Sequence, residues 1–216
     1  MNLLRSELEL TGRRVKLRSL SVGDFGDYRE IRRRSRIWLV PWEPLPAPGQ
    51  PDPSAERRAF TALCGARDRE RQLGTGYGFG IFVPVDPYGE VQDAAASDRL
   101  AGVVNLSGVQ RGPFQNAYLG YWIDEACAGR SYTPEAVVLV LRFAFEEAGL
   151  HRVQVAIIPR NHASRRVVEK LGLREEGIAE RYLQIAGVWE DHMRYAMTSE
   201  EWAERGRALI EEWIEA

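Results

Sequence analysis

Two stretches of this chain bring together residue types suited to holding an anion and moving a proton. The first is Tyr118-Leu-Gly-Tyr-Trp-Ile-Asp124, then the small-residue run Glu125-Ala-Cys-Ala-Gly-Arg-Ser-Tyr132, then Thr133-Pro-Glu-Ala136. A turn of small residues feeding a helix presents unpaired main-chain N–H groups, and the helix dipole adds positive potential. A pyrophosphate fits such a turn, and Arg130 adds charge beside it. The second stretch is Pro159-Arg-Asn-His-Ala-Ser164, opening a helix that closes at Glu169-Lys-Leu-Gly172. Asn161 and Ser164 are three apart at that helix start. They either cap it or hydrogen-bond a ligand lying between the helix and the preceding strand.

Further candidates lie elsewhere. Asp191 and His192 sit on the last strand, with Glu190 alternating to the other face. A shifted carboxylate or a histidine can serve as a general base, and Asp191 is the candidate, the other reading being a structural hydrogen-bond partner. Asn105 and Ser107 share a strand face; they either position a water or are ordinary polar strand positions. Trp38, Trp42 and Tyr182 either shape an acceptor site or simply pack. Cys127 has no evident base nearby in sequence and reads as a small filler. The histidines at 151, 162 and 192 show no metal-ligand spacing, so no metal is expected.

These residues need elements to position them. Alternation predicts strands over residues 8–20, 78–85, 100–109, 117–124, 152–158, 178–185 and 189–198. Helices are predicted over 21–36, with Ser21 as N-cap, over 54–72, and over 200–215, an acidic amphipathic tail. The strongest helix signal is Thr133 as N-cap, Pro134 at the first helical position and Glu135 near the positive dipole end. Its continuation 137–145 is almost continuously apolar and should be buried, with Gly149 closing it. The Pro-rich run from Trp38 to Pro53 is neither helix interior nor central strand. Residues 84–90 read as a turn and 93–98 as an acidic loop.

Composition narrows the function. The 216 residues carry a net charge of -2, and 44% are hydrophobic. That fits one soluble domain over 1–216 and excludes the basic excess of a nucleic-acid binder. No apolar run spans a bilayer, and the N-terminus is too charged for a secretory signal. A cytoplasmic location is therefore expected, with no membrane and no nucleic acid as partner. Lys16 and Lys170 are the only lysines against many arginines, which reads as base-composition bias. Cys64 and Cys127 form no Cys-x-x-Cys, so no disulfide framework is expected.

Trp38-Leu-x-Pro-Trp42, Gly120-Tyr-Trp-Ile-Asp124, Gly129-Arg-Ser-Tyr-Thr-Pro-Glu-Ala136, Asn161-x-x-Ser164 and Gly187-Val-Trp-Glu-Asp-His192 together resemble the GNAT superfamily, specifically its ribosomal-protein alanine N-acetyltransferase (RimJ-type) branch. The resemblance covers nearly the whole chain. It implies an α/β (α+β) fold: a mixed, mostly antiparallel sheet of about seven strands, flanked by helices and splayed to hold acetyl-CoA. The pantetheine arm would pair with main chain at Trp122 and Ile123, and the pyrophosphate would rest on Gly129, Arg130, Ser131, Tyr132 and Thr133, with Asn161 and Ser164 beside it. Trp38, Trp42, Asn105 and Tyr182 would bound the acceptor. Three anchor positions of the family's pyrophosphate pattern depart here, at Ala128, Ser131 and Thr133, which implies weakened CoA binding. The tyrosine many relatives use as general acid would fall at Val168, leaving Ser164 as the nearest hydroxyl on that helix. The implied acceptor is a polypeptide N-terminus. A small amine, or a non-catalytic acyl-CoA module, are the competing readings, and the assembly is a monomer or homodimer.

Overall fold

The computed structural model of the chain describes residues 8–83 and 98–215. The first alternating segment forms two strands, β1 (Glu9–Thr11) and β2 (Lys16–Arg18), where one was expected. The break is the tight turn in which Gly12 N–H donates to Val15 O at 2.9 Å. Gly12 is required there: a Cβ would lie 2.5 Å from Glu135 Oε1. Ser21 starts the next segment, its N–H and hydroxyl both donating to Asp24 Oδ2. Helix α1 (Phe25–Arg34) then stops at Ser35, and α2 (Arg36–Leu39) restarts, so the single expected helix is two. The cause is Ser35, fully buried, whose hydroxyl donates to Asp124 at 2.6 Å. Trp38 and Leu39 finish α2. Pro41 sits in the first turn of the following 3-10 segment Val40–Trp42, where a missing N–H costs little.

Helix α3 (Arg57–Leu73) leads to β3 (Tyr77–Val83), β4 (Arg99–Gln110) and β5 (Asn116–Ile123). The expected turn 84–90 and most of the acidic loop 93–98 lie outside the described residues. Helix α4 (Tyr132–Arg142) follows, then β6 (Arg152–Ile157), α5 (His162–Lys170), β7 (Arg174–Ile185), β8 (Val188–Thr198) and α6 (Ser199–Ile210). The eight described strands order as β1-β2-β3-β4-β5-β6-β8-β7. Only β5 and β6 run parallel; their crossover is α4, as a parallel connection requires. No helix among the described residues is long and apolar enough to cross a membrane.

Strand alternation gives the sheet two apolar faces. Tyr77, Phe79, Val104, Leu119, Val153 and Met197 face α4 and α6 in the main core. Every residue of α4 from 133 to 141 is buried, so it behaves as a central core helix. Phe143, just beyond it, meets Tyr77 edge-on at 4.8 Å. On the other face, α1 and α3 pack through Phe25, Tyr28 and Phe60, and Ile31 meets Phe82 and Leu100. The acceptor candidate Asn105, with Gly120 and Trp122, belongs to this second face, by the registers Gly78↔Asn105, Asn105↔Gly120 and Val103↔Trp122.

Candidate active site

The sheet opens where two parallel strands part. The β5–β6 register runs through Asn116↔Arg152, Ala117↔Val153 and Tyr118↔Gln154 and then ends. Residues 119–123 stay with β4 as far as Gly102↔Ile123, while residues 155–157 stay with β8 as far as Ile157↔Met193. Between them, main-chain N–H and C=O groups lack the sheet partner they would otherwise have. Tyr121 props the gap open. Its hydroxyl donates to the Ser164 carbonyl at 2.9 Å, and Ser164 Oγ donates to the Tyr121 hydroxyl at 3.1 Å. The resulting cleft holds about 750 Å³, within the ordinary range for a small-molecule site.

One end of the cleft is the turn into α4, lined by Gly129, Ser131, Tyr132 and Thr133. Gly129 has φ +77° and Ser131 φ +64°. The left-handed pair turns the chain sharply and makes Ser131 the helix cap. Thr133, expected as the cap, therefore lies in the first turn, and α4 begins with Tyr132. Beneath the turn, buried Glu135 accepts from Arg14 N–H at 2.6 Å, Arg14 Nε at 2.7 Å and Val15 N–H at 3.1 Å. Glu135 thus anchors the β1–β2 turn instead of facing the ligand. Asp124, also fully buried, accepts from Ser35 and from Arg34 Nη2 at 2.5 Å. Its carbonyl accepts from Cys127 N–H at 2.9 Å. Cys127 is buried and lines the cleft as a small side chain. Arg130 is exposed and outside the lining. The cations on the wall are Arg166 and Lys170 of α5.

Asn161 and Ser164 both line the cleft, and Asn161 Oδ1 also accepts from Ser164 N–H at 3.1 Å. Capping and cleft lining are therefore compatible. Sequence reasoning missed Tyr121. Burial pushes its phenol above the ordinary value, although the Ser164 hydrogen bond acts the other way. It is a neutral, proton-bearing hydroxyl beside Ser164, supplied by β5 where the expected tyrosine of α5 is replaced by Val168. The signal was present: a tyrosine sharing a core-facing strand side with Leu119 and Ile123 must bring its hydroxyl to a partner.

The other end is lined by Trp38, Trp42, Glu43, Asn105, Gly120 and Trp122. Glu43, also missed, pairs with Arg32 at 2.5 and 2.6 Å. Arg160 lies 5.6 Å from the Trp42 ring and pairs with Glu190. Besides Arg130, three expected residues are not in the lining. Ser107 donates to the Tyr118 carbonyl at 3.4 Å. Tyr182 packs edge-on against His192 at 5.7 Å, under the Arg194 guanidinium. Asp191 is exposed on the opposite side of β8 from His192, because strand side chains alternate. It accepts from Arg181 N–H at 2.8 Å and so holds the β7 bulge in which Arg181 takes φ +48°. This bond is the alternative reading of Asp191, a structural hydrogen-bond partner, and Asp191 is not among the residues lining the cleft.

Comparison with known proteins agrees with this geometry. The family model described as acetyltransferase (GNAT) domain matches residues 14–174. The chain is 34% identical over 188 residues to the probable N-acetyltransferase YjcK of Bacillus subtilis (strain 168), covering 87% of this chain and 96% of that one. It is 29% identical over 196 residues to the [ribosomal protein uS5]-alanine N-acetyltransferase of Escherichia coli (strain K12), covering 91% and 93%. Among solved structures, Mycobacterium smegmatis RimJ in complex with CoA-disulfide superposes with a TM-score of 0.79 at 25% identity, covering 95% and 92%. By fold, cleft and family model alike, the chain belongs to the acetyltransferase (GNAT) family and is an N-acetyltransferase of that family.

Proposed function

We propose that this protein transfers the acetyl group of acetyl-CoA to the N-terminal α-amine of a polypeptide, acting as one domain. The observation that carries the reading is the parting of β5 from β6 directly above the turn into α4, with the Tyr121–Ser164 hydroxyl pair between them. The residues fit the cofactor. At Gly129 no atom lies within 4 Å of where a Cβ would be, so a phosphate can approach the main chain. The first N–H groups of a helix have no intrahelical partner and suit an anion, and the α4 dipole adds to their pull.

Acetyl-CoA supplies an acyl group already activated as a thioester. The chain's residues do the rest. The N–H groups of 129–133 hold the diphosphate, with Arg166 and Lys170 along the wall. Main chain at Trp122 and Ile123 replaces the lost β6 partner with the pantetheine arm, and the Ile123 N–H faces the carbonyl oxygen as charge builds on it. Ser164 Oγ, with Tyr121 behind it, holds the proton that the departing sulfur takes, and the proton released by the acylated amine restores the hydroxyl. Positioning two reactants across the opened sheet contributes roughly 7–11 kcal/mol in favourable cases.

The polypeptide acceptor is supported by the likeness to the uS5-alanine acetyltransferase and to RimJ. Acceptors of this kind, ribosomal proteins among them, are made in the cytoplasm, where we place the protein. The test is thiol release from acetyl-CoA with Ala- and Ser-starting peptides set against polyamines, amino acids and aminoglycosides. Turnover with the peptides is expected. Turnover with small amines alone would replace the polypeptide by a small acceptor, and CoA binding without turnover would make the protein a sensor.

A further inference from the structure

We propose that the acceptor docks as its ammonium over Gly120, with Glu43 as counter-ion and Trp38, Trp42 and Trp122 as an aromatic surround; this rests on the acetyl-transfer reading above. Glu43 is the sole carboxylate among the residues lining the cleft, and the lining cations, Arg166 and Lys170, both belong to α5. The lining is therefore asymmetric, with cations and helix amides toward one substrate and an Arg32-paired carboxylate among indole rings toward the other. Indoles with a carboxylate suit an ammonium, because ring faces and the carboxylate both attract positive charge.

Glu43 is built into place. Arg32 grips both of its oxygens and stands 5.5 Å from the Trp122 ring. The Glu43 carbonyl accepts from Ala186 N–H at 3.0 Å, tying this wall to the β7–β8 turn. The carboxylate remains about one-quarter exposed.

One independent feature indicates that the space beside it is meant for a ligand. Gly120 does not take a positive φ, and a Cβ built there meets nothing within 4 Å. Neither backbone geometry nor packing requires glycine, yet a side chain would fill the cleft floor. Its cross-strand neighbour Asn105 also lines the cleft, with its Oδ1 turned to the Gly78 side. The amine must shed one proton before attack, so Glu43 acts as a positioning residue and sets specificity for a cationic acceptor.

The experiment is calorimetry on the CoA-loaded protein with two unreactive probes: a short Ala-starting peptide trimethylated at its N-terminus, and the same peptide N-formylated. The cationic probe should bind at least about tenfold more tightly than the neutral one, a difference of about 1.4 kcal/mol. Glu43→Gln should abolish that preference, with CoA affinity unchanged. Gly120→Val should keep the melting temperature and CoA affinity but lose the probe. Equal binding of both probes, or an undiminished preference in Glu43→Gln, overturns the proposal. Because no turnover is measured, a probe that binds while no amine is acetylated would sink the transferase reading alone.

Discussion

Removing the Glu135 carboxylate should cost stability and cofactor affinity together. Glu135 is fully buried and serves three donors, two of them main-chain N–H groups. Glu135→Ala leaves Arg14 and Val15 N–H unpaired under α4. Breaking a buried pair from one side costs about 3–5 kcal/mol. At this chain length each kcal/mol lowers the melting temperature by roughly 2–4 °C, which gives a loss of roughly 6–20 °C. Glu135→Gln should lose much less, because Oε1 alone accepts from both main-chain groups. What it loses is the bond to Arg14 Nε, and that side chain is 37% exposed and can turn to water. A cost of about 1–2 kcal/mol is expected. Gly12→Ala supplies an independent route, since its Cβ would lie 2.5 Å from Glu135 Oε1. Arg14 Nη1 also reaches the Arg130 carbonyl at 3.5 Å, so the phosphate turn should slacken with the anchor. Urea denaturation with a shared slope, alongside CoA calorimetry, measures both effects. Equal losses for Ala and Gln, or an Ala loss under about 1 kcal/mol, would refute this account of the anchor.

Other expectations follow from the same geometry. Ser131→Gly removes a left-handed non-glycine residue, a gain of about 1 kcal/mol less the added freedom of the unfolded chain; a slightly higher melting temperature and tighter CoA binding are expected by calorimetry. Tyr121→Phe and Ser164→Ala should each lower kcat more than the KM for acetyl-CoA, with roughly a hundredfold or more lost where the leaving-group proton is managed; steady-state kinetics decides. Burial opposes ionisation of Asp24, but hydrogen bonds from Arg18 and the Ser21 N–H hold its carboxylate below the ordinary 3.8. The stabilisation is then present above that value and lost as pH falls through the lower folded one. Asp24→Asn should thus be destabilising at neutral pH and silent in acid, as denaturation at several pH values will test. Burial, and then the neighbouring Asp24 and Asp68 charges, push the Cys64 thiol up to about 11, so mapped alkylation at mildly alkaline pH should find it unmodified until the chain unfolds.

Much of this was legible in the sequence because it was local. Alternation located the strands from β3 to β8, and the apolar run after Thr133 gave the buried α4. The small-residue turn, Asn161 and Ser164 were readable from spacing, and the structure puts them on one cleft with Trp38, Trp42, Asn105, Trp122 and Ile123. What escaped was decided at long range. The split of residues 8–20 into two strands depends on Glu135, which lies far along the chain. The break at Ser35 depends on Asp124. Asp191 looked chemical by residue type, but a bulge around Arg181 claims it. Tyr121 was readable as a core-facing tyrosine in need of a partner, but that the partner is Ser164 depends on the packing of α5, and Glu43 has an ordinary loop signature that only Arg32 reveals.

The most direct test is an amide-resolved NMR titration of the protein with CoA. The N–H signals of Ile123, Gly129 and Ser131 should shift together and become protected from exchange, while those of the β1–β2 turn stay in place. Saturable binding that leaves these three unmoved, or no binding at all, would contradict the claim that the parted strands and the turn into α4 form the cofactor site.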